Sequence, residues 1–170
     1  CHCLVGSEMC IRDRSIIADT IKRLIKSGKI KSFGVSNFTA NQMDMFKGKV
    51  EVLYNQINLS LTHLDHMFDG TLEYMQANEI LPMAYSPLGS YFKEDNGKIK
   101  DVVDKLKNKY GCTDYQLLIS WLLKHPSKVY PVIGTTKSDR IKSTLESLKI
   151  EIDLIDWFEL LEVSVGKRVP

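Results

Sequence analysis

Between residues 16 and 26 the apolar positions Ile17, Ile21, Leu24 and Ile25 recur every three or four residues, the period of a helix that buries one side, and Gly28 follows as its stop. Four short apolar runs come next, at 30–35, 52–57, 81–85 and 129–133, and read as strands. Helical patterning fills the intervals and the end of the chain, over 39–46, 69–78, 98–110, 113–125, 138–148 and 154–162. Strand and helix therefore alternate throughout. Such alternation predicts parallel strands joined by right-handed crossovers with helices outside, the α/β class.

Composition narrows the class without naming a function. With 44% hydrophobic and 26% charged residues among 170, the chain can bury a sizeable core, and global disorder is excluded. A net charge of +2 offers no strongly basic face to nucleic acid, and no apolar run approaches the roughly 20 residues that span a bilayer. Cys1, Cys3 and Cys10 all fall near the amino terminus and leave Cys112 alone in the body, which reads as that of a reduced, cytoplasmic protein. Residues 1–14, CHCLVGSEMCIRDR, show neither helical nor strand patterning and lack the apolar stretch of a secretion signal. They are expected to be a non-native leader, of the kind that adapter read-through produces, with the folded body at 15–170. Cys1, His2, Cys3 and Cys10 match no zinc-ligand spacing, so no metal site is expected there.

Candidate chemistry gathers where the strands end. The run KIKSFGVSNF stops at Ser36 and Asn37, two small polar residues at a strand tip; Asn37 with Thr39 would equally serve to cap the helix that follows. A second run carries Tyr54, Asn55 and Gln56. Tyr85 closes the third run, in AYSPLGS, where an aromatic side chain on a strand is by default core and Pro87 with Gly89 is a turn signal. After the fourth run comes GTTKSDRI, in which Thr136 and Asp139 satisfy the capping-box spacing for a helix start. Such a start is also an anion site, because free backbone N–H groups and the positive dipole end face outward. His63 and His66 in THLDH have ligand-like spacing but no apparent third partner, and are expected to be surface residues. Trp121 and Trp157 lie in apolar helical patterns and are expected in the core.

In order and spacing, KIKSFGVSNF, YNQ, AYSPLGS and PVIGTTKSDRI resemble the aldo-keto reductases over about residues 15–170, and the closing VGKRVP resembles the short end of their bacterial oxidoreductase branch. The resemblance implies a (β/α)8 TIM barrel, which needs at least about 200 residues when complete. Four strand signals after an opening helix correspond to its carboxy-terminal half. Ser36 and Asn37 are then expected to hydrogen-bond the nicotinamide carboxamide with Gln56 beside them, and Tyr85 to stack under the nicotinamide ring. Ser86, Leu88, Gly89 and Ser90 match the loop over the cofactor pyrophosphate. Gly134, Thr135, Thr136 and Arg140 match the positions around the adenosine 2′-phosphate. Arginine's forked donors suit a phosphate and Lys137 adds charge nearby, which favours NADPH over NADH. Two departures stand out: Tyr91 and Phe92 follow Ser90 where related sequences are richer in glycine, and Ser143 and Thr144 stand where the family often holds adenine with acidic and amide residues.

The implied function is NADPH-dependent reduction of a small-molecule aldehyde or ketone by hydride transfer. The tyrosine, lysine, aspartate and histidine that carry the family's proton chemistry belong to its amino-terminal half. Nothing in this sequence matches them, so no catalytic residue is assigned and the chain alone is expected to be inactive. The alternative is a non-catalytic half-barrel module for binding or dimerising, because a half barrel leaves raw strand edges and an open core for a partner to cover. A channel-associated β subunit shares the implied fold, but the likeness of the last helices to the bacterial oxidoreductases argues against it.

Overall fold

The computed structural model describes residues 14–169. Helix α1 (Arg14–Lys26) leads to β1 (Gly34–Ser36), α2 (Ala40–Asp44), β2 (Tyr54–Asn58), the short helices α3 (Asp65–Phe68) and α4 (Thr71–Ala77), and β3 (Leu81–Tyr85). There follow α5 (Gly97–Tyr110), α6 (Asp114–Leu123), β4 (Tyr130–Pro131), α7 (Ser138–Glu146), a 3-10 turn at Ser147–Lys149 and α8 (Leu154–Val165). The strands form one sheet in the order β1-β2-β3-β4, and β1 runs parallel to β2 with Gly34 opposite Tyr54 and Ser36 opposite Gln56. Sequential strands with a helix in every crossover form a run of βαβ units, one arc of a (β/α)8 barrel. The leader expected over 1–14, with Cys1, His2, Cys3 and Cys10, lies outside the described residues apart from the backbone of Arg14.

The third strand occupies the residues its apolar run predicts, whereas the first, second and fourth are shifted or cut short for identifiable reasons. Expected over 30–35, β1 starts only at Gly34 because the amides of Lys29 and Ile30 turn back to the Leu24 carbonyl and close α1, with Gly28 at a φ of 71°. The second strand starts two residues later than its run and ends one later, at Tyr54–Asn58. The fourth keeps only Tyr130–Pro131 of its expected 129–133, since Pro131 has no N–H to extend a ladder. The amide of Val132 still reaches the Ala84 carbonyl at 2.8 Å.

The chain divides into two compact units. The first runs to Ile57 and resumes over His66–Met83. Its strands alternate by the pleat: Val35, Asn55 and Ile57 are buried while Ser36, Tyr54 and Gln56 are only partly so. Its core holds Phe33, Phe38 and Phe46, with Phe46 centred 5.6 Å from Phe33 and 6.3 Å from Phe38. The second unit comprises Asn58–Asp65 and the chain from Ala84 onward. Both tryptophans are in its core, as their patterns predict. Trp121 and Trp157 stack with centroids 5.3 Å apart and planes 11° from parallel. Each indole N–H donates to the other's backbone carbonyl, at 3.2 and 2.9 Å, so neither polar edge is left bare.

The same unit clamps α5 to α8 through Asp156, which is only 7% exposed. Lys109 Nζ lies 2.6 Å from its carboxylate and the Tyr110 hydroxyl donates to the same oxygen. Burial pushes this carboxyl's pKa up, but the hydrogen bonds from Lys109 and Tyr110 with the Lys109 charge outweigh it, and the net shift is downward. A lowered folded pKa contributes stability that is fully present above the unfolded value and is lost as pH falls through the folded one. Asp156→Asn is therefore expected to lower the thermal midpoint at pH 7 and to flatten its decline below about pH 4. Midpoints by circular dichroism from pH 7 to pH 3 check this; parallel curves for the two proteins would contradict it.

Candidate strand-tip site

At the end of β1 the backbone leaves the ladder abruptly. Asn37 is exposed and has a φ of 55°, the left-handed region that a non-glycine residue rarely enters. Its amide donates to the Gln56 carbonyl at 2.9 Å, and the Ser36 hydroxyl donates to the same oxygen at 3.0 Å. The next residue, Phe38, is gripped from β2: its amide donates to Asn55 Oδ1 at 3.3 Å and its carbonyl accepts from Asn55 Nδ2 at 2.8 Å. Helix α2 then starts under Thr39, whose side chain accepts from the Gln42 amide while the Gln42 side chain accepts from the Thr39 amide. The N-cap is thus Thr39, and Asn37 stands at the tip before it. Ser36, Asn37 and Gln56 are brought together by this arrangement. Because the Ser36 proton is committed to Gln56, its oxygen is left to accept.

The tip of β3 repeats the device in the second unit. Ser86 follows Tyr85 with a φ of 50°, and the amide of Gly89 closes the turn on the Ser86 carbonyl at 2.7 Å. Tyr85 is half-buried, on the face opposite buried Pro82 and Ala84, so the default expectation of a core aromatic is not met in full. Gly89, at a φ of 53°, lies so close to the connection after β2 that an added Cβ would stand 2.0 Å from Thr62 Oγ1 and 2.3 Å from Ser60 Oγ. Thr62 Oγ1 in turn accepts from the Ser90 amide at 2.9 Å. The departure at Tyr91 has a structural reason. Tyr91 is 2% exposed and its hydroxyl donates to Asp114 at 3.0 Å, and the Asn96 amide donates to the Ser90 carbonyl at 3.2 Å. Side chains here fasten the loop from below.

After β4, Gly134, Thr135 and Thr136 lead into α7. The capping box expected between Thr136 and Asp139 does not form. The N-cap is Lys137, without a side-chain cap, and Thr135 Oγ1 instead accepts from the Lys137 amide at 3.2 Å. Thr136, Lys137 and Arg140 are exposed, and no ion pair holds Lys137 or Arg140 among the described residues. Thr144 is occupied by packing: its hydroxyl meets that of Tyr115 at 2.7 Å, and the Ser143 carbonyl accepts from Gln116 at 3.2 Å.

Three supporting residues escaped the sequence reading: Asn55, Ser60 and Thr62. Asn55 left a signal, since alternation along β2 puts it on the buried face with Ile57, where an amide must find partners. Ser60 and Thr62 left none, because their role is set by a loop 27 or more residues further on. His63 and His66 prove half-buried rather than fully at the surface, and each has its own carboxylate, Asp65 at 3.7 Å and Asp69 at 2.9 Å. A cavity of about 390 Å3 lined by Met43, Lys47, Lys49, Val52, Tyr74 and Ile80 opens beside the starts of β2 and β3 and holds none of the candidate residues.

Strands with a helix in every crossover, and left-handed polar turns after β1 and β3, define a segment of a (β/α)8 barrel. Comparison with known proteins is specific. The family model described as Aldo/keto reductase family matches residues 8–164, beginning inside the stretch set aside as a leader. The 6-dehydroglucose reductase of Agrobacterium fabrum is 35% identical over 150 residues, which are 86% of this chain and 50% of that protein. The NADPH-dependent alpha-keto amide reductase of Saccharomyces cerevisiae is 34% identical over 151 residues, 85% of this chain and 47% of the relative. Among solved structures, a thermostable aldo-keto reductase bound to the inhibitor epalrestat superposes with a TM-score of 0.83 at 22% identity, over 94% of this chain and 57% of its own. An aldo/keto reductase from Klebsiella pneumoniae in complex with NADP and acetate gives 0.74 at 24% identity, over 84% and 51%. The chain belongs to the aldo/keto reductase family. It spans about half the length of the curated relatives it matches.

Gly89→Ala is expected to destabilise the protein by roughly 1–3 kcal/mol, from overpacking against Ser60 and Thr62 on a left-handed backbone. Denaturant unfolding measures it; a loss within about 0.5 kcal/mol, the range of an ordinary surface change, would contradict the close approach.

Proposed function

We propose that the chain is the cofactor-holding part of an NADPH-dependent carbonyl reductase acting on a small aldehyde or ketone. The observation that carries this reading is the left-handed backbone of Asn37 and Ser86 at the ends of β1 and β3. Of the four non-glycine residues with positive φ among those described, the other two, Glu79 and Lys128, sit where short turns close on Gln76 and His125. Strain at strand tips marks places where side chains are aimed rather than merely packed.

The residues fit the group. A carboxamide offers one acceptor and two donors, and Ser36, with its proton committed, is left to accept from the amide nitrogen, Asn37 and Gln56 supplying mixed donors and acceptors. Tyr85, half-buried at its strand end, supplies a ring to stack on. The turn formed by Ser86, Leu88, Gly89 and Ser90 would hold the pyrophosphate. Gly134, Thr135 and Thr136 lie just ahead of the amides that open α7 at Ser138, and Arg140 and Lys137, exposed and outside every ion pair among the described residues, would take the 2′-phosphate. NADPH would supply a hydride to the substrate carbonyl carbon. This chain's own work is to fix which face of the nicotinamide is presented and to hold the dinucleotide by its phosphates. The names of two relatives support the choice, one an NADPH-dependent reductase of alpha-keto amides and the other a reductase of a dehydroglucose. Cys112, a free thiol, suits a reducing, cytoplasmic setting.

One observation favours a second reading as a dimerising module. Helix α7 buries none of its residues, and Ile141, Leu145 and, beyond its end, Leu148 are 38%, 56% and 65% exposed, an apolar stripe that a second copy would cover. That reading requires no affinity for dinucleotides.

Calorimetric titration of the purified chain separates the two. NADPH is expected to bind more tightly than NADH, and Arg140→Ala to weaken NADPH by roughly tenfold or more while leaving NADH nearly unchanged. Absence of binding, or equal loss for both cofactors, would overturn the assignment. No residue here matches the family's proton donor, so NADPH with any aldehyde is expected to remain unconsumed in a spectrophotometric assay of this chain; measurable turnover would show that a donor is present.

A further inference from the structure

Asn55, on β2 beside the end of β1, is a polar side chain 0% exposed, and nothing in the cofactor reading above uses it. Its amide grips both backbone groups of Phe38, accepting from the N–H at 3.3 Å and donating to the C=O at 2.8 Å, with Met75 Sδ 3.8 Å from the same nitrogen. Phe38 lies between the end of β1 and the cap of α2, so neither strand nor helix provides partners for its backbone. It is 1% exposed, so water does not provide them either. Asn55 therefore stands in for a strand residue. It continues the ladder by side chain, one step past the point where Asn37 turns left-handed and the backbone ladder ends on the Gln56 carbonyl.

We propose that Asn55 is the positioning residue of the tip: by fixing Phe38 it locks the turn at Asn37 and holds Ser36 and Asn37 in the one arrangement that reads a carboxamide. The inference rests on the cofactor reading above. The geometry also says which end of the dinucleotide should feel the change. Asn55 grips the backbone next to the nicotinamide candidates Ser36 and Asn37, and no hydrogen bond among the described residues joins it to the phosphate candidates Thr136 and Arg140. Loss of Asn55 should therefore weaken ligands that carry a nicotinamide and spare those that carry only the adenosine phosphates. A purely structural core amide would weaken both alike or neither.

The test titrates the wild-type chain, Asn55→Ala and the isosteric Asn55→Asp with NADP+ and with 2′,5′-ADP, which keeps the 2′-phosphate and lacks nicotinamide. Both variants are expected to weaken NADP+ by about tenfold and to bind 2′,5′-ADP within about twofold of wild type, the loss of one aligned hydrogen-bonding tip. Should Asn55→Ala fail to fold, Asn55→Asp keeps the volume and one acceptor and carries the comparison. A readout free of substitution accompanies it: the Asn55 side-chain amide resonance of wild type should move on adding NADP+ and stay in place with 2′,5′-ADP. Equal losses for both ligands, no loss for either, or a resonance indifferent to NADP+ would overturn the positioning role while leaving the cofactor reading intact. A wild-type chain that binds neither ligand overturns the cofactor reading, and this inference with it.

Discussion

A strand that must end in a functional turn faces one constraint: its last amides and carbonyls leave the ladder but stay near the core, where an unpaired polar group costs about 1–3 kcal/mol. At β1 the chain meets that constraint by doubling bonds onto β2. The Gln56 carbonyl accepts from both the Asn37 amide and the Ser36 hydroxyl, and the Asn55 side chain serves both polar groups of Phe38. The left-handed Asn37 persists because four hydrogen bonds over-determine it. Everything proposed for the nicotinamide end depends on that local closure, since without it Ser36 and Asn37 are two flexible polar residues on a loop.

The second unit meets the same constraint with different means. Ser86 turns left-handed after β3, and the segment beyond it is pinned by Thr62, by the close approach of Gly89 to Ser60, and by Tyr91 reaching Asp114 at the start of α6. Asp114 is itself paired with Lys107 at 2.9 Å, so the loop is tied through one tyrosine to two helices. The cations at α7 are treated in the opposite way. Among the described residues Lys137 and Arg140 are exposed and in no ion pair, whereas Lys105, Lys107 and Lys109 all find carboxylates. A cation left unpaired beside a helix start is available to an anion that the protein does not itself supply.

Much of this was legible in the sequence, and the limits were physical. Helix periodicity placed α1, α5 and α8 within a few residues, because each buries one stripe against a core. Apolar runs found all four strands but missed their bounds wherever backbone hydrogen bonding decided the matter: at Lys29 and Ile30, which close α1, and at Pro131, which cannot extend a ladder. The capping box at Thr136 and Asp139 was a spacing without a geometry, while the unremarked pair Thr39 and Gln42 formed one. Resemblance to the family directed attention to Ser36, Asn37 and Gln56, which the fold does bring together. It was silent on Asn55, Ser60 and Thr62, whose value lies in supporting other residues, and their partners are fixed only once the chain has folded.

Site-resolved resonance mapping of the isotopically labelled chain during titration with NADP+ tests the central claim most directly. Shifts are expected to concentrate at Ser36, Asn37 and Gln56, along residues 85–90 and along residues 134–140, with the cavity residues Lys47, Lys49 and Tyr74 unmoved. Shifts centred on that cavity, or a spectrum indifferent to NADP+ at millimolar concentration, would contradict it.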